Sequence, residues 1–313
     1  QSVLVTGASG FIGSHLTRRL LEEGLPVVGT YRHPDQLYRL ESVQGRVALV
    51  RIDLRDAEAV SALFRNYNFQ WVIHCAAYGV RAELSTGIEV MEMNAVATGI
   101  LATVATKAQV ERFVYLGSGF EYEPRAHPIG EDVPLRPVNL YGAAKASGWV
   151  ILDYLHRVHG FPLVTVRPFS VYGPGEHPSK FIPHVVTAAL KREPIPLTHG
   201  FQVRDYVFVE DVVEAIVQAT RRPGTVGQVY NIGAGPQGAV SIRALAETAV
   251  RLSGASENLI QYGAAEPMRP EPPILVADPS RAWVELGWRP RVPLEEGLRV
   301  TIEWYRRHLE MQV

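Results

Sequence analysis

The feature that most constrains the fold is a glycine-rich turn at residues 3–13, Val-Leu-Val-Thr-Gly-Ala-Ser-Gly-Phe-Ile-Gly, followed by an amphipathic helical pattern. The apolar, β-branched run at residues 3–5 is typical of a buried parallel strand. Gly7, Gly10 and Gly13 stand at three-residue spacing. Such glycines let the backbone approach a pyrophosphate, which the N–H groups and dipole of a helix N-terminus favour. The same glycines could form a turn without a ligand, but strand, glycines and helix in this order predict dinucleotide binding.

Strand-like and helix-like patterns alternate through the first half of the chain. Further apolar runs of strand length occur at residues 26–30, 47–52, 71–73 and 113–116. This alternation predicts an α/β fold with a Rossmann-type doubly wound parallel sheet. The second half loses strict alternation and predicts a smaller, interleaved C-terminal substrate lobe. We therefore assign residues 1–172 to the NAD(P)-binding domain, to which residues 201–234 return, and residues 173–313 mainly to the lobe.

Residues that follow the predicted strands point to the cofactor, because ligands of such sheets lie beyond the carboxyl ends of the strands. After the second strand, an acid would bind the adenosine ribose, whereas an arginine accommodates a 2′-phosphate. Tyr31 and Arg32 stand there and no acid does. The sequence therefore favours NADP, with NAD as the alternative, although Arg32 could also be a solvated surface charge. Ala76 and Ala77 follow the fourth strand and are small enough for a flat ligand to approach the backbone.

Tyr141 and Lys145 are four residues apart and therefore share one face of a predicted helix. A lysine ammonium can lower the pKa of a phenol from about 10 towards neutrality, which makes Tyr141 a candidate general acid or base. Chance adjacency on an amphipathic helix is the alternative. His74 and Cys75 are predicted to be buried packing residues, and no residue cluster predicts a metal site.

Composition excludes several classes of partner. The formal net charge of the 313 residues is −1, so no general basic field favours nucleic acid or an anionic membrane. An anionic ligand must then be bound by a few placed arginines. The single cysteine excludes a disulfide within the chain. No apolar run approaches the roughly 20 residues needed to span a bilayer, and we expect a cytoplasmic protein.

Taken together, these motifs resemble the extended short-chain dehydrogenase/reductase family, the NAD(P)-dependent nucleotide-sugar epimerases, dehydratases and reductases. The resemblance rests on Thr-Gly-x-x-Gly-x-x-Gly at residues 6–13, on Ser118 after the fifth strand and on Tyr141-x-x-x-Lys145. Further family segments follow in order over essentially the whole chain, at residues 166–175, 203–212, 269–270, 278–282 and 286–290.

The resemblance implies a role for individual residues. Tyr141 would be the acid/base, Lys145 its electrostatic partner and ribose ligand, Ser118 the donor to the reacting oxygen, and Asn94 a support of the proton relay. The implied substrate-binding residues are Ser118, Ser170 and two diphosphate-binding arginines, Arg204 and Arg269. The implied cofactor-binding residues, with Asp53 and Leu54 at the adenine, are Gly7, Ser9, Gly10, Phe11, Ile12, Tyr31, Arg32, Asp53, Leu54, Ala76, Ala77, Tyr141, Lys145 and Pro168.

The sequence also departs from the family pattern. Dehydratase members have an acidic pair directly after the catalytic threonine, whereas Gly119 and Phe120 stand at those positions here. Glu121 follows one position later, and it could either face away from the site or take part in catalysis. Ser170 replaces an asparagine, so it offers a shorter side chain with one donor to the substrate.

These observations predict an enzyme acting at C4 of a nucleotide-diphosphate sugar. The favoured activity is reduction of a 4-keto-(6-deoxy)hexose with NADPH, and the alternative is a 4-epimerase using the same residues. A redox-inert NADP-sensing or scaffold protein is a third possibility, because fold does not determine function. Family members commonly form homodimers, and we expect one here through the helices predicted at residues 90–108 and 142–159.

Overall fold

A computed structural model describes residues 2–79, 87–267 and 270–310. Its centre is a parallel sheet of seven strands: β1 (Ser2–Thr6), β2 (Val27–Tyr31), β3 (Ala48–Arg51), β4 (Phe69–His74), β5 (Arg112–Leu116), β6 (Leu163–Pro168) and β10 (Val229–Ile232). The strand order is β3-β2-β1-β4-β5-β6-β10, so it reverses direction beside β1. A reversal at this place is the topological switch point of a doubly wound sheet. The predicted fold class is confirmed.

Helices cover both faces of this sheet. They are α1 (Phe11–Glu22), α2 (Ala57–Asn66), α3 (Ile88–Lys107), α4 (Leu140–His159), α5 (Phe181–Lys191), α6 (Val209–Arg221), α7 (Ile242–Leu252), α8 (Ser280–Glu285) and α9 (Leu294–Glu310). Successive side chains of a strand point to opposite faces. Val3 and Val5 therefore pack in the core with α1 and α6, whereas Leu4 packs with α2, α3 and α4. Burial on both faces explains why β1 is apolar throughout.

The remaining strands build the smaller lobe: β7 (Ser170–Tyr172), β8 (Ile195–Leu197), β9 (Val203–Phe208), β11 (Ala239–Ser241), β12 (Ile260–Tyr262) and β13 (Ile274–Leu275). Strand β9 pairs in parallel with β7 and β13 and antiparallel with β11, and β8 pairs with β12. Side chains of α5, α7 and α9 form a core of their own with this lobe. Of residues 201–234, β10 lies in the main sheet and α6 against it, whereas β9 lies in the second sheet.

Two local features differ from the sequence prediction. Residues Pro34–Val43, which carried no helical prediction, form a 3₁₀-helix that starts with a proline and packs on α1. Helix α3 contains a π-helical turn at Glu92–Val96, a feature that often marks functional sites.

By length and composition alone α3 could also span a membrane, which corrects the statement that no apolar run is long enough. Half of its most apolar window is buried inside the protein.

Candidate functional site

The glycine turn after β1 forms a cradle that larger residues would fill. Gly7 has φ +66°, and a Cβ there would lie 2.8 Å from the Ala76 Cα, a distance that real Cβ atoms essentially never show. A Cβ at Gly13 would lie 2.2 Å from the Gly7 carbonyl oxygen, so α1 could not pack as it does. Gly10 is the N-cap of α1 and provides no side-chain cap, and the first turn carries no acid. The N–H groups of this turn are thus left for an anionic ligand, and the cradle fits a dinucleotide.

The other implied cofactor residues lie at the same edge, because parallel strands end on one side of the sheet. Tyr31 and Pro168 are the last residues of β2 and β6, and Ala76 follows β4 closely. The Ala76 N–H donates to the Thr6 hydroxyl, which is also 2.7 Å from Nδ1 of His74. Burial lowers the pKa of His74 to about 3, so this histidine is neutral and supports the cradle as a packing residue.

Arg32, directly after β2, has partners within the protein at this edge. Its guanidinium lies 2.9 Å from the Glu89 carboxylate and 5.2 Å from the centre of the Tyr78 ring. Asp53 forms an ion pair with Arg55. Hydrogen bonds from Arg55 lower the pKa of the Asp53 carboxyl to about 2. Arg32 is therefore held in place rather than freely solvated, and a bound anion would have to replace Glu89.

The first turns of α4 bring Tyr141 and Lys145 together in the interior. Tyr141 is 5% and Lys145 2% exposed. The Tyr115 hydroxyl of β5 donates to the Lys145 carbonyl oxygen at 2.8 Å, and the Lys145 Nζ lies 4.3 Å from the centre of the Tyr115 ring. Burial lowers the pKa of Lys145 to about 8. The ammonium is thus charged near neutral pH, but it can lose its proton within the working range of an enzyme.

Asn94 lies in the π-helical turn of α3 and is buried. Its amide accepts from the Tyr78 N–H at 3.2 Å and donates to the carbonyl oxygens of Tyr78 and Val90 at 2.7 and 2.8 Å. These hydrogen bonds place the amide on backbone groups rather than on Tyr141 or Lys145. The structure therefore shows Asn94 fixing the chain after Ala77, and its support of a proton relay stays a prediction.

Ser118 follows β5 and lies beside the start of α4. Its Oγ accepts the Phe120 N–H at 3.2 Å, which leaves the hydroxyl hydrogen available to a ligand. The Phe120 ring meets the Tyr141 ring nearly edge-on, with 6.4 Å between centroids. The structure thus brings the turn of Ser118 next to Tyr141, as the family resemblance implies.

Glu121 faces away from the predicted site. Its side chain is fully buried and lies 2.9 Å from Nε of Arg167 on β6, while its other oxygen accepts the Ser118 N–H at 2.6 Å. Of the two alternatives left by the sequence, the structure favours the first, that Glu121 faces away from the site, because Arg167 and the Ser118 N–H engage its two carboxylate oxygens in the interior. The sequence did not predict Arg167 as the partner of Glu121. The only indication that Arg167 matters was its place in the family segment at residues 166–175.

Of the two arginines predicted to bind the diphosphate, Arg204 on β9 lies within the described residues. It is 5% exposed, and its Nη2 lies 2.9 Å from the Glu271 carboxylate. Asp205 is not its partner, because that carboxylate accepts backbone N–H groups of Ala234, Gly235 and Ala277, and burial raises its pKa to about 6. Arg269, the second predicted diphosphate ligand, lies outside the described residues.

The segment after Arg269 connects Arg204 with the start of α4. β13 pairs in parallel with β9, so Leu275 lies opposite Arg204. Further back along this segment, the Pro270 carbonyl oxygen lies 3.5 Å from the amide of Asn139, the N-cap of α4. Asn139 stands two residues before Tyr141, so Arg204 and Tyr141 border the same segment. Ser170 is the first residue of β7. This strand pairs with β9, so Ser170 lies opposite Tyr206, two residues after Arg204.

Comparisons with known proteins agree with this geometry. Residues 3–233 match the model of the NAD dependent epimerase/dehydratase family. The chain is 34% identical to a dTDP-glucose 4,6-dehydratase of Streptomyces griseus, covering 98% of this chain and 94% of the relative. It is 33% identical to a UDP-glucose 4-epimerase of Mycolicibacterium smegmatis, covering 97% and 98%. A UDP-glucuronic acid 4-epimerase of Bacillus cereus, solved with UDP-glucuronic acid and NAD, superimposes with TM-score 0.88 at 27% identity, over 98% of this chain and 100% of that one.

Proposed function

The chain belongs to the NAD dependent epimerase/dehydratase family, and from that premise we propose that it is an oxidoreductase acting at C4 of a nucleotide-diphosphate sugar. The favoured activity is reduction of a 4-keto-(6-deoxy)hexose to the C4 alcohol. The observation that carries the proposal is the grouping of Ser118, Tyr141 and Lys145 beside the glycine cradle, without the acids that a dehydration would need.

Each of the three side chains has a distinct task in this reaction. When bound, a nicotinamide supplies the hydride for C4. The Ser118 hydroxyl donates a hydrogen bond to the C4 oxygen and stabilises the negative charge that develops there. Tyr141 gives its phenolic proton to that oxygen, and the Lys145 ammonium stabilises the phenolate that remains. The buried setting strengthens both interactions, because water does not screen them.

Elimination of water would require an acid and a base at C5 and C6 of the sugar. Gly119 carries no side chain, Phe120 is apolar, and Glu121 is buried against Arg167. At residues 119–121 the structure thus directs no acid at the sugar, so we favour a reductase over a 4,6-dehydratase, although dehydratases are among its relatives.

A 4-epimerase is the second candidate, and the 33% identity to a UDP-glucose 4-epimerase favours it. The same residues would first oxidise the C4 hydroxyl and then return hydride to the other face.

The test is incubation of the purified protein with dTDP- and UDP-linked hexoses and 4-keto-6-deoxyhexoses, with and without NADPH or NADH. A reductase consumes the reduced cofactor, and an epimerase interconverts hexoses without net consumption. A protein that only senses the cofactor does neither, and that result would refute the proposal.

Cofactor preference follows from the residue after β2. We propose NADPH, because Arg32 stands where an acid would bind the ribose, and Tyr78 and Glu89 already orient its guanidinium. Arg32→Ala should weaken NADPH binding at least about tenfold and leave NADH binding nearly unchanged, as loss of a charge-assisted pair does. Titration calorimetry with both cofactors measures this. Arg65→Ala, which removes an exposed arginine paired with Glu58, is the control. Equal losses for the two cofactors, or tighter NADH binding by the parent protein, would contradict the preference.

A homodimer is expected from apolar side chains on the outer faces of α3 and α4. Val96, Val150, Tyr154 and Val158 are each about half exposed, and Ile88 more so. Large contiguous apolar surface on a soluble protein indicates a contact site. Light scattering at micromolar concentration should give twice the chain mass of 34.6 kDa. The double variant Val150→Glu/Val158→Glu should be monomeric, whereas Val284→Glu, on an exposed position of α8, should not. A monomeric parent protein would rule this interface out.

A further inference from the structure

A buried ion pair lies directly behind Ser118. Glu121 and Arg167 are 0% and 2% exposed in their side chains, and their charged groups are 2.9 Å apart. Removing two charges from water costs free energy that their attraction does not reliably return, so such a pair is weak evidence for stability. Arg167 Nη2 even lacks a hydrogen-bond partner among the described residues. The pair therefore requires another explanation.

The contacts of this pair reach both parts of the predicted site. On one side, Glu121 holds the backbone N–H of Ser118 at 2.6 Å. On the other, the Arg167 guanidinium lies 4.8 Å from the centres of two rings, Tyr122 and Trp149. Trp149 stands on α4, one turn after Lys145 and two turns after Tyr141, on the same helix face. The pair is thus the buried link between the turn of Ser118 and the helix of Tyr141.

We infer that Glu121 and Arg167 are positioning residues for the C4 reaction: together they fix Ser118 relative to α4. The inference rests on the proposed function for its kinetic part. Its electrostatic part, the effect of Glu121 on Lys145, can be measured without substrate.

The groups that face Lys145 come from several elements. They are His74 and Cys75 at the end of β4, Tyr115 on β5, Glu121 in the turn after β5, and Tyr141 on α4. Burial keeps His74 neutral, and it raises the pKa of the Cys75 thiol to about 12. Glu121, which is paired with Arg167, is the carboxylate in this set. It raises the pKa of Lys145 against the larger lowering by burial.

The sign of the effect follows. Lys145 is charged below its pKa of about 8. Removal of the Glu121 charge lowers that pKa further, so the ammonium is lost at a lower pH. A change that only loosened the fold would admit water to Lys145 and raise its pKa towards the ordinary value, which is the opposite direction.

The test uses the variant Glu121→Gln. Glutamine keeps an oxygen for the Ser118 N–H, and the Arg167 charge stays in place, so only the negative charge that raises the pKa of Lys145 is removed. Only four lysines occur in the chain, so NMR of protein labelled with ¹³C-lysine resolves their titrations. A further variant, Lys145→Gln, identifies the Lys145 signal. We expect Glu121→Gln to titrate at least about half a pH unit lower than the parent at this signal. Glu58→Gln, which removes the acid of an exposed pair, is the matched control and should leave the signal unchanged.

The kinetic part has its own variant. Arg167→Lys keeps the charge but loses the planar group that both rings contact. It should lower kcat about tenfold through misplacement of Ser118 and α4, with KM and the Lys145 titration unchanged. A Lys145 titration unmoved in Glu121→Gln, or parental kcat in Arg167→Lys, would overturn the inference. If Glu121→Gln does not fold, Arg167→Lys alone decides. If the parent protein turns over no nucleotide sugar, the proposed function fails, and the NMR titration still tests the electrostatic part.

Discussion

Replacing Tyr141 by phenylalanine is expected to lower kcat of the C4 reaction about a thousandfold, because a positioned general acid contributes roughly 10²- to 10⁴-fold. The substitution removes the hydroxyl and keeps the ring that meets Phe120. The fold and the cofactor cradle should therefore be unaffected. Affinities for cofactor and sugar nucleotide should change by no more than about threefold, since the lost interaction forms mainly in the transition state. Single-turnover measurement of hydride transfer reports the change directly.

The control for this variant lies on the same helix. Tyr154→Phe removes a half-exposed hydroxyl that lies 3.5 Å from His159, far along α4 from the predicted site. It should keep parental kcat. Similar losses in both variants would show that α4 tolerates no change, and a Tyr141→Phe enzyme with parental kcat would remove Tyr141 from the mechanism.

Replacing Arg204 by alanine is expected to raise KM for the sugar nucleotide about a hundredfold, since truncating one partner of a buried, hydrogen-bonded charge pair costs about 2–5 kcal/mol. Arg204 is almost fully buried and aims its Nη2 at a carboxylate, so it is already oriented for an anion. A guanidinium is also suited to a diphosphate, because its N–H groups can bind phosphate oxygens bidentately. Because remote binding energy also holds the sugar for reaction, kcat should fall as well. Cofactor affinity should stay the same.

The partner of Arg204 provides a variant of opposite sign. A diphosphate on Arg204 has to take the place of the Glu271 carboxylate, so Glu271→Gln should lower KM for the sugar nucleotide. Arg136→Ala, which removes a largely exposed arginine, should change neither constant. Parental kcat/KM in the Arg204→Ala variant would show that this arginine anchors a loop and that the substrate class is different.

The parallel sheet and the edge of the predicted site could be predicted from local sequence. Alternating apolar runs and helical patterns specify a parallel sheet, and the carboxyl ends of its strands meet at one edge. The glycine turn, Tyr31, Ala76, Ser118 and Pro168 therefore come together although they are far apart in sequence. The spacing of Tyr141 and Lys145 places them on one face of a helix by geometry alone.

Long-range polar pairs could not be predicted in this way. Glu121 and Arg167 are 46 residues apart, and nothing in one sequence indicates that two charges pair inside the protein. The same holds for Arg32 with Glu89, which are 57 residues apart. The π-helical turn that holds Asn94 has no local signal, because residues 92–96 read as ordinary helix. These contacts arise from tertiary packing, and they decide which charges remain available to a ligand.

The central claim, redox chemistry at C4 of a nucleotide sugar, is tested most directly by isotope transfer. The purified protein is incubated with a dTDP- or UDP-linked 4-keto-6-deoxyhexose and with NADPH or NADH carrying deuterium at both hydrogens of the reactive nicotinamide carbon. The product is then analysed by NMR and mass spectrometry. We predict one deuterium at C4 of the product sugar for each cofactor oxidised, and no transfer in the Tyr141→Phe variant on the same time scale. Recovery of unlabelled sugar with its C4 configuration unchanged and with the reduced cofactor intact, from every keto sugar and from the parent hexoses alike, would contradict the claim.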